Sequence, residues 1–139
     1  MAQASLTDLL GPVAGSSRAD TLRARVRAGL PFRAFETLLT ALDLGAPELG
    51  ELVGVAPRTL ARRKAARRLS PIESDRLYRV AQVALLAIEV LGSLERARTW
   101  LHQANRALGG VAPLNELDTE IGARRVEEVL QRLAFGIHS

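Results

Sequence analysis

PELGELVGVAPRTLARRKAARR, residues 47–68, contains two short helical patterns separated by a glycine. In the first pattern, Leu49 and Val53 follow the spacing of one helix face. Gly54 allows the left-handed turn that ends such a helix at low steric cost. A second helix begins near Pro57, where a missing backbone N–H is harmless. Two short helices joined by a glycine turn form the helix-turn-helix pattern.

The spacing of this stretch resembles that of helix-turn-helix regulators of the Cro/repressor type. Two positions depart from the type. Gly50 lies where a small residue such as alanine is usual, and it still permits close approach of the helices. Ala56 lies where serine or threonine is usual, so the second helix lacks a cap worth about 1 kcal/mol. The residues that carry the resemblance are Leu49, Gly54, Val55, Thr59, Leu60 and Arg62.

The second helix of the pair is the candidate for contact with DNA. At about 100° per residue, Leu60 points away from Arg58, Thr59 and Arg62, so it anchors the helix in the core. The three outward residues would enter the major groove, where arginine can bond guanine and threonine can touch a thymine methyl group. A longer helix would bury unpaired cations beside Leu60, so the helix should end near residues 63–66. The remaining cations are expected to bind phosphates: Arg63, Lys64, Arg67 and Arg68.

The alternative is a solvated basic face without a ligand, since arginine is common throughout the chain. Two features favour a polyanion as partner. No acidic residue lies between Glu51 and Glu73, whereas solvated faces usually mix both signs. Residues 1–70 hold eleven basic and six acidic side chains (+5), and residues 71–139 hold eight and nine (−1). The basic half therefore suits DNA, and the leucine-rich half suits a protein.

Local patterns elsewhere predict further helices and no strand of more than four residues, so the chain is expected to be all-α. Residues 1–17 are predicted to be a flexible tail. Residues 18–69 are predicted to form the helix-turn-helix region. In that region, one helix is expected from about Ala19 and another from Pro31 to Asp43.

A long central helix is predicted over residues 70–92. Ser70 can cap the N–H of Glu73, whose carboxylate reaches back, and Pro71 fits the first helical position. The second half of this helix is apolar on almost every side, which predicts burial on both flanks. A chain of 139 residues rarely has room for such a helix, so we expect it to join two subunits in a homodimer. Residues 93–139 then form the C-terminal region.

No catalytic or cofactor site is predicted. The chain has no cysteine, which excludes disulfides and Cys-based zinc sites, and His102 and His138 lack partners at metal-ligand spacing. Since there is also no phosphate-binding glycine loop and no nucleophile beside a base, we expect no cofactor, metal or small-molecule substrate. The most apolar window, residues 80–92, is too short to span a bilayer and contains Gln82 and Glu89. Without a targeting segment either, a cytoplasmic protein away from membranes is expected.

Residues 100–133, WLHQANRALGGVAPLNELDTEIGARRVEEVLQRL, form a more specific pattern. It resembles the toxin-binding domain of the Xre/MbcA/ParS antitoxins, and the whole resemblance covers roughly residues 45–139. Arg106 departs from the family pattern, in which proline is common at this position. The residues that carry the resemblance are Trp100, Leu101, Asn105, Ala107, Leu108, Gly109, Gly110, Pro113, Leu114, Leu117, Thr119, Gly122, Ala123, Val126 and Leu130.

The resemblance implies a type II antitoxin that binds and neutralises a RES-domain toxin. Such toxins consume NAD⁺, either by degrading it or by transferring its ADP-ribose. The resemblance also implies that the antitoxin represses its own operon through the helix-turn-helix. Two alternatives stay open from the residues alone. One is a free-standing transcriptional regulator whose C-terminal half only dimerises, and the other is a protein-interaction module whose basic patch is incidental.

The end of the last predicted helix supplies candidates for toxin contact. The tail RLAFGIHS leaves this helix at Gly136 and carries apolar Phe135 and Ile137 near its terminus. We hypothesise that this end docks into or beside the NAD⁺ pocket of the toxin, where Arg132 or the terminal carboxylate meets polar groups. The alternative is that Phe135 and Ile137 cover their own domain, and Trp100 is expected in the core rather than at an interface. The candidate toxin-binding residues are Trp100, Asn105, Leu108, Arg132, Phe135, Ile137 and Ser139.

Overall fold

The computed structural model describes residues 18–136, and in this range the chain forms seven α-helices and two short 3₁₀-helices without a β-strand. The predicted all-α class is confirmed. The predicted tail, residues 1–17, lies outside the described residues. The α-helices are α1 Arg18–Ala28, α2 Phe32–Leu42, α3 Ala46–Val53, α4 Pro57–Ala66, α5 Pro71–Leu91, α6 Leu94–His102 and α7 Glu120–Phe135, and the 3₁₀-helices are Arg106–Leu108 and Pro113–Glu116.

Helices α3 and α4 form the predicted helix-turn-helix pair, and their turn depends on two glycines. Gly54 ends α3 with a φ of 74°. The Val55 N–H then donates to the Gly50 carbonyl at 2.8 Å, and the Val55 side chain is buried. A Cβ at Gly50 would lie 3.0 Å from the Val55 carbonyl oxygen, so glycine permits the close approach here. Ala56 precedes α4 without a side-chain cap, as the sequence predicts.

Both ends of α5 are set by local hydrogen bonds, and both were predictable. The Ser70 hydroxyl accepts a hydrogen bond from the Glu73 N–H at 3.2 Å, and the Glu73 carboxylate accepts one from the Ser70 N–H at 2.8 Å. Pro71 occupies the first turn, where its missing N–H costs nothing. Gly92 ends the helix with a left-handed φ of 97°. The predicted bounds of the central helix are confirmed.

Helix α5 is the centre of the core. It packs against α1, α2, α3, α6 and α7, and Leu77, Val80 and Ala87 on it are fully buried. Five helices of the same chain thus bury one side of α5. Apolar side chains in its second half, such as Leu85 and Val90, are only half-buried. A homodimer stays a prediction.

The C-terminal region packs α7 against α5 through a compact turn. The Asn105 side chain accepts a hydrogen bond from the backbone N–H two residues further on, at 2.9 Å, and Leu117 is fully buried. The Thr119 hydroxyl accepts from the Gly122 N–H at 2.9 Å and so begins α7. A Cβ at Gly122 would overlap the Glu116 carbonyl oxygen, so this contact requires glycine. These residues therefore hold the turn and the start of α7 together.

Two side chains of α6 join the C-terminal region to the helix-turn-helix region. The Arg98 Nε donates to the Ala41 carbonyl at 3.0 Å, and the His102 Nε2 donates to the Leu42 carbonyl at 2.7 Å. These acceptors belong to the last turn of α2, where a helix leaves its carbonyls without intrahelical partners. The two regions are therefore joined by hydrogen bonds as well as by α5.

Candidate functional site

Helix α4 presents two exposed arginines that form no ion pair with any residue in the range 18–136. These are Arg58 and Arg62. Arg62 Nη2 donates to Thr59 Oγ1 at 3.3 Å, which holds the Arg62 and Thr59 side chains next to each other. Leu60 points to the opposite side and packs, half-buried, against the core. The helix ends at Ala66, within the predicted range. The arrangement leaves two guanidinium groups free to bond base edges in a major groove.

Arg63 is not free to bind a phosphate, contrary to expectation. Its Nε donates to Glu73 Oε1 at 2.8 Å, so it ties α4 to the start of α5. Burial raises the pKa of Glu73, but hydrogen bonds from Arg63 and Ser70 outweigh this effect and hold the pKa below its usual value. Arg63 therefore stabilises the ionised form of a carboxylate inside the fold.

Replacing Arg63 by alanine is expected to lower the free energy of unfolding at neutral pH by about 1–2 kcal/mol, because a buried carboxylate loses a charged partner. The folded-state pKa of Glu73 is depressed, so this stabilisation is present above the pKa of the unfolded carboxyl and is lost as the pH falls through the folded value. Denaturant unfolding at neutral and acidic pH measures the effect. The difference between Arg63→Ala and wild type should shrink in acid, and an equal difference at both pH values would contradict the assignment.

Arg68 is exposed but is hydrogen-bonded to the fold, and its predicted phosphate contact stays a prediction. Its Nη1 donates to the Gly29 carbonyl at 2.7 Å and to the Ala28 carbonyl at 3.2 Å. These carbonyls lie at the end of α1, where the helix itself provides no hydrogen-bond donor for them. Arg68 therefore fastens the turn between α1 and α2 to the segment that follows α4. Its partners lie about 40 positions away in the chain, so no local pattern could have shown them.

Lys64 and Arg67, two further predicted phosphate contacts, are also exposed. Neither forms an ion pair with a described residue. Arg67 has a φ of 62° and forms the left-handed cap at the end of α4. This conformation costs a residue with a side chain about 1–2 kcal/mol, and glycine is usual there. The exposed Arg67 side chain is available for a contact outside the fold, and its phosphate contact stays a prediction.

Replacing Arg67 by glycine is expected to raise the free energy of unfolding by about 1 kcal/mol and, at the same time, to weaken binding to DNA. Thermal unfolding and fluorescence anisotropy with duplex DNA measure the two effects. Asp43 offers a matched control, because it forms the cap of α2 with a φ of 53° and lies outside α4. Asp43→Gly should gain stability without losing affinity for DNA. Unchanged DNA affinity in Arg67→Gly would remove Arg67 from the interface.

The toxin-binding candidates near α6 are mostly engaged in the fold. Leu108 is only 3% exposed, so it belongs to the core and is not available for direct contact, contrary to expectation. Asn105 holds the turn after α6 through its side chain and backbone. Trp100 is half-buried against the core, in line with the role expected for it. Toxin contacts by Asn105 and Trp100 stay predictions.

Phe135 and Arg132 are exposed at the C-terminal end of α7. The Phe135 side chain is 84% exposed, and Arg132 forms no ion pair with a described residue. The alternative in which Phe135 covers its own domain is therefore wrong. Ile137 and Ser139 lie outside the described residues, and their toxin contacts stay predictions.

A second exposed apolar residue, Ile121, lies on the same side of α7. It is 76% exposed, and its 14-residue spacing from Phe135 places the two on one side of the helix. They lie about 21 Å apart along the helix axis. Ile121 was not predicted from the sequence, although its spacing of two heptads from Phe135 on one predicted helix could have indicated it. The exposed residues on this side, which we call the α7 face, are Ile121, Arg125, Glu128, Arg132 and Phe135.

The described part of the chain contains neither a metal cluster nor a single helix that could span a membrane. No group of three or more His, Cys, Asp or Glu side chains among residues 18–136 could hold a metal ion. In that range no single helix is long and apolar enough to cross a membrane. Helices α5 and α6 reach such a length and composition only as a pair, which is bent by 115° at its break.

Two family models match the chain, one over each of the surfaces described above. The model of the antitoxin Xre-like helix-turn-helix domain matches residues 21–82. The model of the antitoxin Xre/MbcA/ParS C-terminal toxin-binding domain matches residues 86–136. The first match contains α4, and the second contains the α7 face.

Curated relatives and a solved structure show the same similarity. Antitoxin Xre of Photorhabdus laumondii is 29% identical over 126 residues, which cover 89% of this chain and 85% of that protein. Antitoxin Xre of Pseudomonas putida is 38% identical over 64 residues, which are 46% of this chain and 40% of that protein. The crystal structure of the M. tuberculosis MbcT–MbcA toxin–antitoxin complex matches with a TM-score of 0.54 and 25% identity, covering 71% of this chain and 88% of the matched chain.

Proposed function

Because the chain belongs to the Xre/MbcA/ParS family of antitoxins, we propose that it neutralises a RES-domain toxin and represses its own operon. The observation that carries the proposal is the succession of both family models along one chain, over residues 21–136. The helix-turn-helix region supplies the contact with DNA. The C-terminal region supplies the contact with the toxin. Both activities place the protein in the cytoplasm, with the operon and the toxin.

The contact with DNA rests on α4. Arg58 and Arg62 are exposed and free of ion pairs within the described residues, and each can form the bidentate bond that arginine makes with guanine. Thr59 holds Arg62 in place through its hydroxyl. We propose that the protein binds its operator as a homodimer, since helix-turn-helix proteins read two half-sites one helical turn apart.

The contact with the toxin rests on the α7 face. Two large apolar side chains, Ile121 and Phe135, are exposed at its ends, and charged side chains lie between them. Exposed aromatic residues next to an arginine are typical of the residues that dominate protein interfaces. The C-terminal end of this face leads into Ile137 and Ser139, which we propose to dock beside the NAD⁺ pocket of the toxin. Neutralisation then follows because NAD⁺ is kept out.

This function requires no catalytic group in the antitoxin itself. The NAD⁺ chemistry, whether degradation or transfer of ADP-ribose, belongs to the toxin. The antitoxin contributes binding energy and steric exclusion. Its effect is therefore stoichiometric, so protection depends on the ratio of antitoxin to toxin.

Co-expression with the toxin gene tests the proposal. Cells that express the RES-type protein encoded beside this gene should stop growing, and co-expression of the antitoxin should restore growth. A reporter driven by the operon's promoter should be repressed by the same protein. Repression without rescue would instead support a free-standing transcriptional regulator. Rescue without repression would support an antitoxin whose basic patch is incidental.

A further inference from the structure

Two arginines outside the helix-turn-helix pair lie at the turn between α1 and α2. Arg27 belongs to the last turn of α1, and Arg33 to the first turn of α2. Both side chains are exposed, and neither forms an ion pair with a described residue. They are far from α4 in sequence, so the sequence pattern does not connect them with recognition of DNA.

The fold places this turn directly beside the C-terminal end of α4. The Phe32 N–H donates to the Arg67 carbonyl at 3.1 Å, and the Leu69 N–H donates to the Leu30 carbonyl at 2.9 Å. Arg68 adds its bonds to the Ala28 and Gly29 carbonyls. These contacts hold the turn and the end of α4 as one unit. Arg33 is therefore the next residue in sequence after Phe32, whose N–H is bonded to the Arg67 carbonyl.

The resulting surface is positively charged. Its cations are Arg27, Arg33, Lys64 and Arg67, and none of them forms an ion pair within residues 18–136. Two carboxylates lie nearby. Asp75 lines a recess between α1 and α5 together with Arg27, and Glu36 lines a groove together with Lys64. Four cations against two unpaired carboxylates leave a net attraction for a polyanion.

We propose that Arg27 and Arg33 bind the phosphodiester backbone of DNA beside the major groove that α4 enters. This inference rests on the proposed contact of α4 with DNA. Arg63 and Arg68, which the sequence suggests for phosphate contact, each use one guanidinium nitrogen for hydrogen bonds within the fold. Arg27 and Arg33 extend the contact made by Lys64 and Arg67 to the turn between α1 and α2.

The salt dependence of DNA binding tests this inference. Fluorescence anisotropy of the full chain is measured across a salt series with two duplexes of equal length, one from the operon's promoter and one of random sequence. The slope of log K against log salt concentration is negative, and each lost phosphate contact reduces its magnitude by about 0.9. For the double variant Arg27→Ala/Arg33→Ala, the magnitude of the slope should therefore be about 1.8 smaller than for wild type on both duplexes. Arg27→Lys/Arg33→Lys should keep the slope, because a phosphate requires only the charge.

The control variant is Arg96→Ala/Arg106→Ala, which removes two exposed arginines from the C-terminal region and changes the net charge equally. Its slope should equal that of wild type. An unchanged slope in Arg27→Ala/Arg33→Ala, or an equal loss in the control, would overturn the inference alone. Failure of the wild-type chain to bind either duplex would overturn both the inference and the proposed contact of α4 with DNA. If the double variant does not fold, Arg33→Ala carries the test with an expected loss of about 0.9.

Discussion

Combining Phe135→Ala with Arg132→Glu is expected to abolish protection against the toxin while leaving the fold intact. Truncation of an aromatic side chain that dominates an interface typically costs about 2–4 kcal/mol, which is about a 30- to 1,000-fold loss of affinity. Reversing the charge next to it adds electrostatic repulsion or leaves a partner group unpaired. The free antitoxin should keep its stability, because Phe135 is largely exposed and makes few contacts to lose. Growth rescue and the Kd of the purified complex measure the effect.

Ile72→Ala is the matched control for this prediction. Ile72 is 65% exposed at the start of α5, so its truncation removes a similar apolar surface from a different helix. It should protect cells as wild type does. Ile121→Ala should weaken the complex less than the double variant but more than Ile72→Ala. Full rescue by Phe135→Ala/Arg132→Glu would show that the α7 face does not bind the toxin.

Replacing both Arg58 and Arg62 by alanine is expected to abolish the preference for the operator over random DNA. A bidentate bond between arginine and guanine contributes about 1–3 kcal/mol of discrimination, which is about 5- to 150-fold for each arginine. Binding to random duplex should persist at low salt, because Lys64, Arg67 and the turn between α1 and α2 still attract the phosphates. Competition between promoter and random duplexes in an anisotropy experiment measures the ratio.

The opposite pattern would contradict the role of α4. If Arg58→Ala/Arg62→Ala loses affinity for both duplexes equally, the two arginines contact the backbone and do not read bases. If neither affinity changes, α4 is a solvated basic face. Stability should be close to that of wild type in either case, because both side chains are exposed.

The elements that were predictable from sequence are those whose signals are local. Gly54 and the pair of Ser70 and Glu73 set the ends of α3 and α5 through hydrogen bonds that span at most four residues. The end of α4 at Ala66 followed from the cost of burying unpaired cations beside Leu60. In each case the physical cause lies within one or two turns of the residue concerned.

What escaped prediction depends on partners that are distant in sequence. Arg68 finds its acceptors in the turn between α1 and α2, and Arg63 finds its acceptor in α5, so their charges serve the fold. Leu108 is part of a matched family motif, yet a motif does not separate residues that build a domain from those that touch a partner. Helix α5 is likewise packed against helices from both ends of the described chain. The spacing of apolar residues along one helix does not show which other helices that helix contacts.

We propose that one chain carries two separable surfaces, α4 for DNA and the α7 face for the toxin. The most direct test compares Arg58→Ala/Arg62→Ala with Phe135→Ala/Arg132→Glu in two assays, operator binding by anisotropy and rescue of toxin-producing cells. The first variant should protect cells without operator preference, and the second should bind the operator without protecting cells. Loss of both activities in either folded variant would contradict the claim.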